Sequence, residues 1–393
     1  MKYIKSSTLD CPLCSKKGVS IFEIPRYPIT EQYLSEGQDG SGMLSELDQE
    51  IVACSSCNHV YLKNIISKDY LYKKENYNTK SNTSIGSLVA LDNFRSFILD
   101  AIDAEIKYKT IIDVGANDAS LLSSFDFKSY KLIGIDPNIN DRDNITCINK
   151  YIEDVNIDDY VDKADSKIII SSHTIEHIES PVDFVRQIAK VMNENDLFVV
   201  QFPSLEKIYE LRRFDQIHHQ HLHYFTLQSI EKICLMNGLV LQSYRFDEDH
   251  YGALMCAFAK NNKKNKLVLE TKVDISLIKS RYEKFKNHMN CMDENISELN
   301  GNFYCYGASL MYPILPYYIK SLNDCICIID EADYKNGLVY NNINSIIRTP
   351  PDISYENSNF VITALATKFA QRKIMEKLIN RKVKNLINIL NFN

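Results

Sequence analysis

No run of about eighteen apolar residues, the length that crosses a bilayer as a helix, occurs in the 393-residue sequence. The opening Met1-Lys2-Tyr3-Ile4-Lys5-Ser6 also lacks the apolar core of an export signal. A membrane partner is therefore not expected, and a cytoplasmic location is. Charge of one sign is scarce as well, since the formal net charge is only -6. Such a chain has no basic field to attract nucleic acid or anionic lipid. An even set of cysteines is missing too. Eleven of them, without an export signal, argue for reduced thiols and metal ligands over a disulfide framework. What is there, 45% hydrophobic and 24% charged residues, is ordinary for a soluble globular protein. The length points to two or three domains, each with its own core.

Glycine is sparse where a nucleotide loop would show it most. The run Ile111-Ile112-Asp113-Val114-Gly115-Ala116-Asn117-Asp118-Ala119-Ser120-Leu121-Leu122 reads as a strand, an acidic turn and then a helix from about Ser120. Its turn has one glycine where a dinucleotide site has three. A second apolar run from Lys131 ends in Asp136, about twenty residues on, the spacing at which a βαβ unit brings a carboxylate to a ribose. This turn offers no glycine-rich backbone for a pyrophosphate, while carboxylates suit a ribose and a cationic ammonium group. The pattern therefore fits S-adenosylmethionine better than NAD. An ordinary buried βαβ turn is the alternative.

Cys11-Pro12-Leu13-Cys14 and Cys54-Ser55-Ser56-Cys57 are two CxxC knuckles. Each turns two thiolates toward one point, and together they complete a tetrahedral zinc site closed to catalysis. An iron-sulfur or redox role is the alternative. The segment between them, with Pro25, Pro28 and Gly37 to Gly42, is polar, so metal ligation would replace a missing core. His59 is either a spare ligand or, by preference, a solvated loop residue. From Lys68 to Ser84 the chain reads as a linker or a lid, with Tyr70, Tyr72 and Tyr77. Leu88, Leu91, Phe94, Phe97, Ile98 and Ile102 then recur at helical spacing.

Strand and helix alternate from Thr110 onward, through Ser166 to Ser171, Val182 to Met192 and Asp196 to Phe202. This is the pattern of a doubly wound α/β sheet, whose ligands gather beyond the carboxyl ends of the strands. Three further segments fall there: Ser172 to Ile178, Gln201 to Pro203, and Phe214-Asp215-Gln216-Ile217-His218-His219-Gln220-His221-Leu222-His223-Tyr224-Phe225. The crowded histidines of the last suit acid-base chemistry. A metal site, with His218 and His221 on one helical face, and a hydrogen-bonded structural cluster are the alternatives.

After the charged stretch Asn261 to Lys266, apolar residues from Ile275 to Leu299 alternate by three and four behind Asp274 as N-cap. They predict one long helix, lying on the main body rather than forming a dimer seam. From Phe303 a smaller α/β unit follows. Its strands are expected at Asp324 to Asp330, Ser345 to Ile347, Asn359 to Ala364 and Leu386 to Leu390, with a helix at Phe369 to Ile379.

Taken in order, these segments resemble the sugar C-methyltransferase family, which methylates nucleotide-linked 4-keto-6-deoxysugars. The resemblance rests on the two CxxC pairs, on Gly115-Ala116-Asn117-Asp118, and on His177 after the fourth strand. The block Phe214 to Leu222, Tyr306-Gly307-Ala308 and Asp330 to Gly337 complete it. It implies a class I methyltransferase-type doubly wound sheet between an N-terminal zinc-binding domain and a C-terminal Rossmann-like domain. The divisions are 1–70, 71–262, a connecting helix over 263–300, and 301–393. The implied cofactors are S-adenosylmethionine and structural Zn2+, and the implied partner is a nucleotide-linked sugar, met by a monomer or a homodimer. Asp113, Gly115, Asn117, Asp118 and Asp136 would hold the cofactor, with Asp154 at the adenine edge. His221 stands at the family's base, which removes the C3 proton so that the enolate attacks the methyl sulfonium. His177 lies near the reacting centre, and His218, His219 or Tyr77 would donate to the enolate oxygen. Three departures mark this chain: His218 and Gln220 replace the family's Tyr and Glu, and Ala119 replaces a glycine. Gln220 can orient the base but supplies no charge. Methylation of an oxygen on the same scaffold, and a binding protein without catalysis, are the competing readings.

Overall fold

The computed structural model describes residues 4–71, 85–260, 273–350, 355–365 and 368–390. Tyr72, Tyr77 and the stretch Asn261 to Lys266 lie outside the described residues. Seven strands make the central sheet: β1 (Tyr108–Val114), β2 (Lys131–Ile135), β3 (Ile145–Ile148), β4 (Ser166–Ser172), β5 (Leu197–Pro203), β6 (Val240–Asp247) and β7 (Ala253–Ala259). Their order is β6-β7-β5-β4-β1-β2-β3. The first five in sequence are parallel, and β7 runs antiparallel to both of its neighbours. Winding reverses between β1 and β4, so the cleft opens beyond their carboxyl ends. Ile111, Ile112, Ile168, Ile169, Ile170, Val199 and Val200 are fully buried, because a parallel sheet covered on both faces needs near-continuous apolar strands.

Helix α1 (Ile85–Ala101) covers one face, where Phe94, Phe97 and Ile98 meet Ile111, Leu132 and Val199. Leu88, placed by periodicity on the same stripe, is instead 51% exposed. This first turn overhangs the cleft, where Ser87, Ala90 and Leu91 face inward. Helices α2 (Pro181–Val191) and α3 (Leu227–Met236) cover the other face, against Ile112, Ile169, Phe198 and Val200. Pro181 opens α2 with its φ preset, and Thr226 and Ser229 close a reciprocal capping box on α3.

The helix expected from Ser120 does not form. A single 3-10 turn, Leu122–Ser124, stands in its place. Asn117 and Ala119 take φ of 50° and 58°, the side chain of Asp118 accepts from Ser120 N, and the Ser123 and Ser124 hydroxyls donate to the carbonyls of Ala119 and Leu121. Local side-chain bonds of this kind compete with the helical ladder.

Before the central sheet, Val19–Pro28, Glu46–Ala53 and Val60–Leu62 form an antiparallel sheet completed by His223–Tyr224 of the histidine block. Tyr33–Ser35 pairs with Leu338–Tyr340, far along the chain. After it comes a five-stranded parallel sheet in the order Ile347–Arg348, Ile328–Ile329, Phe303–Tyr306, Asn359–Ile362, Asn385–Asn388, with the helix Lys368–Asn380. The strand expected over Asp324 to Asp330 contracts to Ile328–Ile329.

The long helix α4 (Ile275–Ser297) begins where Asp274 accepts a hydrogen bond from Leu277 N at 3.0 Å. Its buried Ile278, Tyr282, Phe285, Met289 and Ile296 pack against segments on either side of it in sequence, and Phe22 stacks on Tyr282 at 3.9 Å. That apolar stripe is thus consumed within the chain, as expected. Among the described residues no helix is long and apolar enough to cross a membrane.

Candidate active site and cysteine knuckle

One cavity of about 440 Å³ lies at the winding reversal. Its cofactor-side wall is built by the β1 and β2 ends. Asp113 is buried at the end of β1, and its Oδ1 has no hydrogen-bond partner among the described residues. Burial pushes this carboxyl up to about 8, and the Asp136 charge adds to the rise. Gly115 follows at φ +83°, and a Cβ there would stand 1.9 Å from Thr174 Oγ1. No side chain fits. Asp136 accepts from Asn117 N at 3.1 Å and from Asn138 N at 2.7 Å, which leaves lone pairs on both oxygens for a diol. Burial raises its pKa as well. A buried carboxyl aimed into an open cleft suits an ammonium group, and the paired oxygens of Asp136 suit a ribose.

Asp118 and Asp154 do not line this cavity. Asp118 turns back to its own loop and Asp154 is exposed on the turn Ile152–Asp154, whose Ile152 and Glu153 line the wall instead. Ala119 is buried in the left-handed region. The site therefore carries backbone strain, not merely a tight fit where a helix would meet a strand. The left-handed cost of about 1–2 kcal/mol is of the same size as what glycine would lose in backbone freedom and buried methyl, so alanine is tolerated.

The acceptor-side wall is imidazole. His177 and His221 line the cavity with ring centroids 4.9 Å apart, and His218 sits 3.8 Å from His221. A carbonyl can only accept, so each partner dictates the tautomer. His177 Nδ1–H donates to Gln220 O at 2.8 Å, His221 Nδ1–H to Gln216 O at 3.1 Å, and His218 Nδ1–H to Gln220 Oε1 at 3.0 Å. Gln220 is itself clamped, accepting from the Thr30 hydroxyl and donating to Thr30 O. All three rings thus hold their lone pair on Nε2. Burial lowers the pKa of each, His218 to about 3, and the crowded imidazoles lower His221 further. The expectation of a base tuned near neutrality is corrected on this point: these rings are neutral, and His221 titrates well below 6.5.

The histidine block is not helical. It runs from the 3-10 turn Phe214–Gln216 into the short strand His223–Tyr224, anchored by the buried pair of Arg213 with Asp215 at 2.7 Å through both oxygens. His219 faces away from the cavity, donating through Nε2–H to Tyr27 O and accepting from Gln49 at Nδ1. Neither His219 nor neutral His218 can offer a proton to the cavity, and Tyr77 lies outside the described residues. A donor within reach is Gln201, which lines the cavity and whose buried Nε2 lacks a partner among the described residues.

Several lining residues escaped the sequence reading, among them three able to do chemistry. His250 and Tyr251 come from the turn between β6 and β7, and Glu31 from the N-terminal region, its carboxyl raised by burial to about 7. The reversed β7 register, with Ala253 opposite Pro203, is what swings that turn over the cleft, so an antiparallel pairing after β5 was the signal to look for.

The four knuckle cysteines converge. Cys11 Sγ lies 3.4 Å from Cys57 Sγ, and Cys14 Sγ lies 3.5 Å from Cys54 Sγ and 3.6 Å from Cys57 Sγ. Sulfurs bound tetrahedrally at a Zn–S distance near 2.3 Å stand about 3.8 Å apart, so the set fits a zinc ion with small adjustment. Both knuckles close alike, Ser15 N to Cys11 O and Asn58 N to Cys54 O, with Ser15 and Asn58 left-handed. His59 is fully buried rather than solvated, and its Nε2–H donates to His223 Nδ1 at 3.0 Å. His223 in turn donates through Nε2–H to Ile178 O.

A family profile described as a methyltransferase domain matches residues 90–244. Over these residues the chain is similar to methyltransferase domains. Its seven-stranded sheet has the class I methyltransferase fold, and the expectation of an enzyme stands with it. Among characterised proteins, the C-methyltransferase NovU of Streptomyces niveus is 21% identical over 260 residues, covering 63% of this chain and 59% of its own length. Among solved structures, an S-adenosylmethionine dependent methyltransferase from Mesorhizobium loti is 11% identical over 43% of this chain and 99% of its own, with a TM-score of 0.34. The PH0226 protein of Pyrococcus horikoshii is 11% identical over 49% and 99%, with a TM-score of 0.37.

Proposed function

We propose that the chain transfers a methyl group from S-adenosylmethionine to carbon 3 of a nucleotide-activated 4-keto-deoxysugar. The observation that carries this reading is one cavity joining the Asp113 and Asp136 wall to the neutral imidazoles of His177 and His221. Similarity to a C-methyltransferase supports the choice of carbon. When bound, the cofactor supplies an electrophilic methyl group on a sulfonium. Asp113 holds its ammonium group, Asp136 its ribose, and Gly115 the close backbone passage between them. His221 accepts the C3 proton at Nε2 as the C–H electrons move into the enolate, and Gln201 donates to the oxygen that takes the charge. His177 packs edge-on to the His221 ring and positions it. Glu31, which lines the same cavity, supplies the carboxyl that Gln220 lacks. Zinc at the four cysteines serves structure only.

The test is incubation of purified protein with labelled S-adenosylmethionine and dTDP-, GDP- and CDP-linked 4-keto-6-deoxysugars, with the methyl position read by NMR. A new carbon–carbon bond at C3 is expected; a methyl on oxygen sinks the carbon assignment. In deuterated water without cofactor, C3 should exchange its proton, and His221→Asn should stop that exchange while the circular dichroism spectrum is retained. Exchange at an undiminished rate in the variant removes His221 from the role of base.

A further inference from the structure

Beneath the acceptor-side wall lies a carboxylate that no lysine or arginine among the described residues answers. Glu176 is 1% exposed, and its Oε2 has no hydrogen-bond partner among the described residues. Its Oε1 faces His173 Nδ1 at 3.2 Å, an imidazole rather than a lysine or arginine. A buried carboxylate in such surroundings is costly unless a positive charge compensates it. Beside it stand the rings of His177 and His221, and ligand atoms of all three side chains lie within 4.8 Å of one another.

We propose that Glu176, His177 and His221 bind a divalent transition-metal ion at the floor of the acceptor end of the cavity. Two imidazoles whose Nδ1–H groups are committed to the backbone carbonyls of Gln220 and Gln216 present Nε2 lone pairs in fixed orientation. Metal-ligating histidines are usually held by such an outer bond, which sets both tautomer and ring angle. The third ligand is oriented likewise, by His173 on its other oxygen. Two nitrogens and one oxygen suit zinc, iron, cobalt or nickel better than magnesium or calcium. Ligands of one ion sit about 3–4 Å apart when bond lengths are near 2.1 Å, so the side chains need only draw inward. Because His177 and His221 line the cavity, the ion keeps open positions toward the acceptor and would polarise an oxygen there. Proton and ion compete for the same His221 lone pair, so the metal-loaded form does not use that ring as base.

The inference stands apart from methyl transfer, and its test uses neither cofactor nor sugar. Full-length protein with zinc already at the cysteine knuckles is titrated with Co2+ and followed by calorimetry, visible absorption and proton NMR. One additional Co2+ per chain is expected, with weak nitrogen/oxygen-type bands instead of thiolate charge transfer. Two exchangeable ring N–H resonances should shift strongly, since both Nδ1–H groups are hydrogen-bonded and buried. His177→Gln and Glu176→Gln should each weaken this binding at least tenfold and leave the knuckle metal in place. No added Co2+, equal binding in folded variants, or an added ion without shifted N–H resonances overturns the site. Should the variants not fold, the wild-type resonances decide. A protein that takes up Co2+ but transfers nothing once that added ion is removed refutes the reaction alone, and one that transfers but takes up no Co2+ refutes the metal site alone.

Discussion

Asp113 couples the protonation of the site to its cargo. With its carboxyl raised to about 8 by burial and, to a lesser degree, by the Asp136 charge, the empty site holds a proton at neutral pH. An ammonium group pairs only with the ionised form, so binding of S-adenosylhomocysteine should release that proton. Affinity is expected to rise with pH up to about 8 and level off above it. Calorimetric titrations in two buffers of different ionisation enthalpy measure the release, and a binding enthalpy that ignores the buffer would refute it. The acidic turn after β1 and the acid after β2 were legible in the sequence, because each is joined to its strand by a few residues. The protonation state was not, since it comes from the burial that the whole cleft imposes. The same divide runs through the histidine block. Crowding announced a site, but His219 faces the Tyr27 strand and His221 faces the cavity for reasons of strand pairing that no local pattern carries.

Among the elements, the N-terminal antiparallel sheet depends on both ends of one three-residue strand. Val60–Leu62 follows the second cysteine knuckle directly and takes His223–Tyr224 as its outer neighbour. His59, between knuckle and strand, bonds to His223. Metal held by the cysteines would thus fix the strand that holds the histidine block in place. Stripping the knuckle ion with a chelator should lower the melting temperature and, before global unfolding, raise hydrogen exchange at Tyr61 and His223 above that of β4 and β5. Uniform exchange across both sheets would disconnect the two. The sequence marked the cysteines clearly, because two CxxC pairs have few other uses. It could not show that the sheet beside them borrows its last strand from 223–224. The missing helix after the cofactor turn is a second case: Leu121 and Leu122 are buried as a helix would bury them, yet left-handed Asn117 and Ala119 turn the chain before a helix can nucleate.

For the whole molecule, the buried imidazoles set the response to acid. Burial lowers His59, His177, His218, His219, His221, His223 and His250, with His219 and His223 at about 4 and His218 at about 3. Burial raises Asp113 to about 8 and Glu31 to about 7. Near pH 5 the unfolded chain protonates rings that the fold holds neutral, most of these seven among them, while buried carboxyls such as Asp113 and Glu31 keep protons that the unfolded chain has lost. The unfolded state binds more protons, so stability rises with pH between about 4 and 6.5. Above that range the histidine contribution is complete, and ionisation of Glu31 and Asp113 then erodes stability as pH passes 7 and 8. A melting temperature that peaks near neutrality and falls steeply toward pH 5 is expected; a flat profile from pH 5 to 7 would contradict the buried neutral cluster.

The pairing of Tyr33–Ser35 with Leu338–Tyr340 sets a timetable for synthesis. All four knuckle cysteines leave the ribosome early and can gather a metal ion at once. The strand at Tyr33 must wait for a partner about 300 residues later, roughly 15–60 s at ordinary elongation rates. Through that interval the N-terminal region has four converging cysteines but not its closing strand, and an ion held by them would keep the waiting segment from straying.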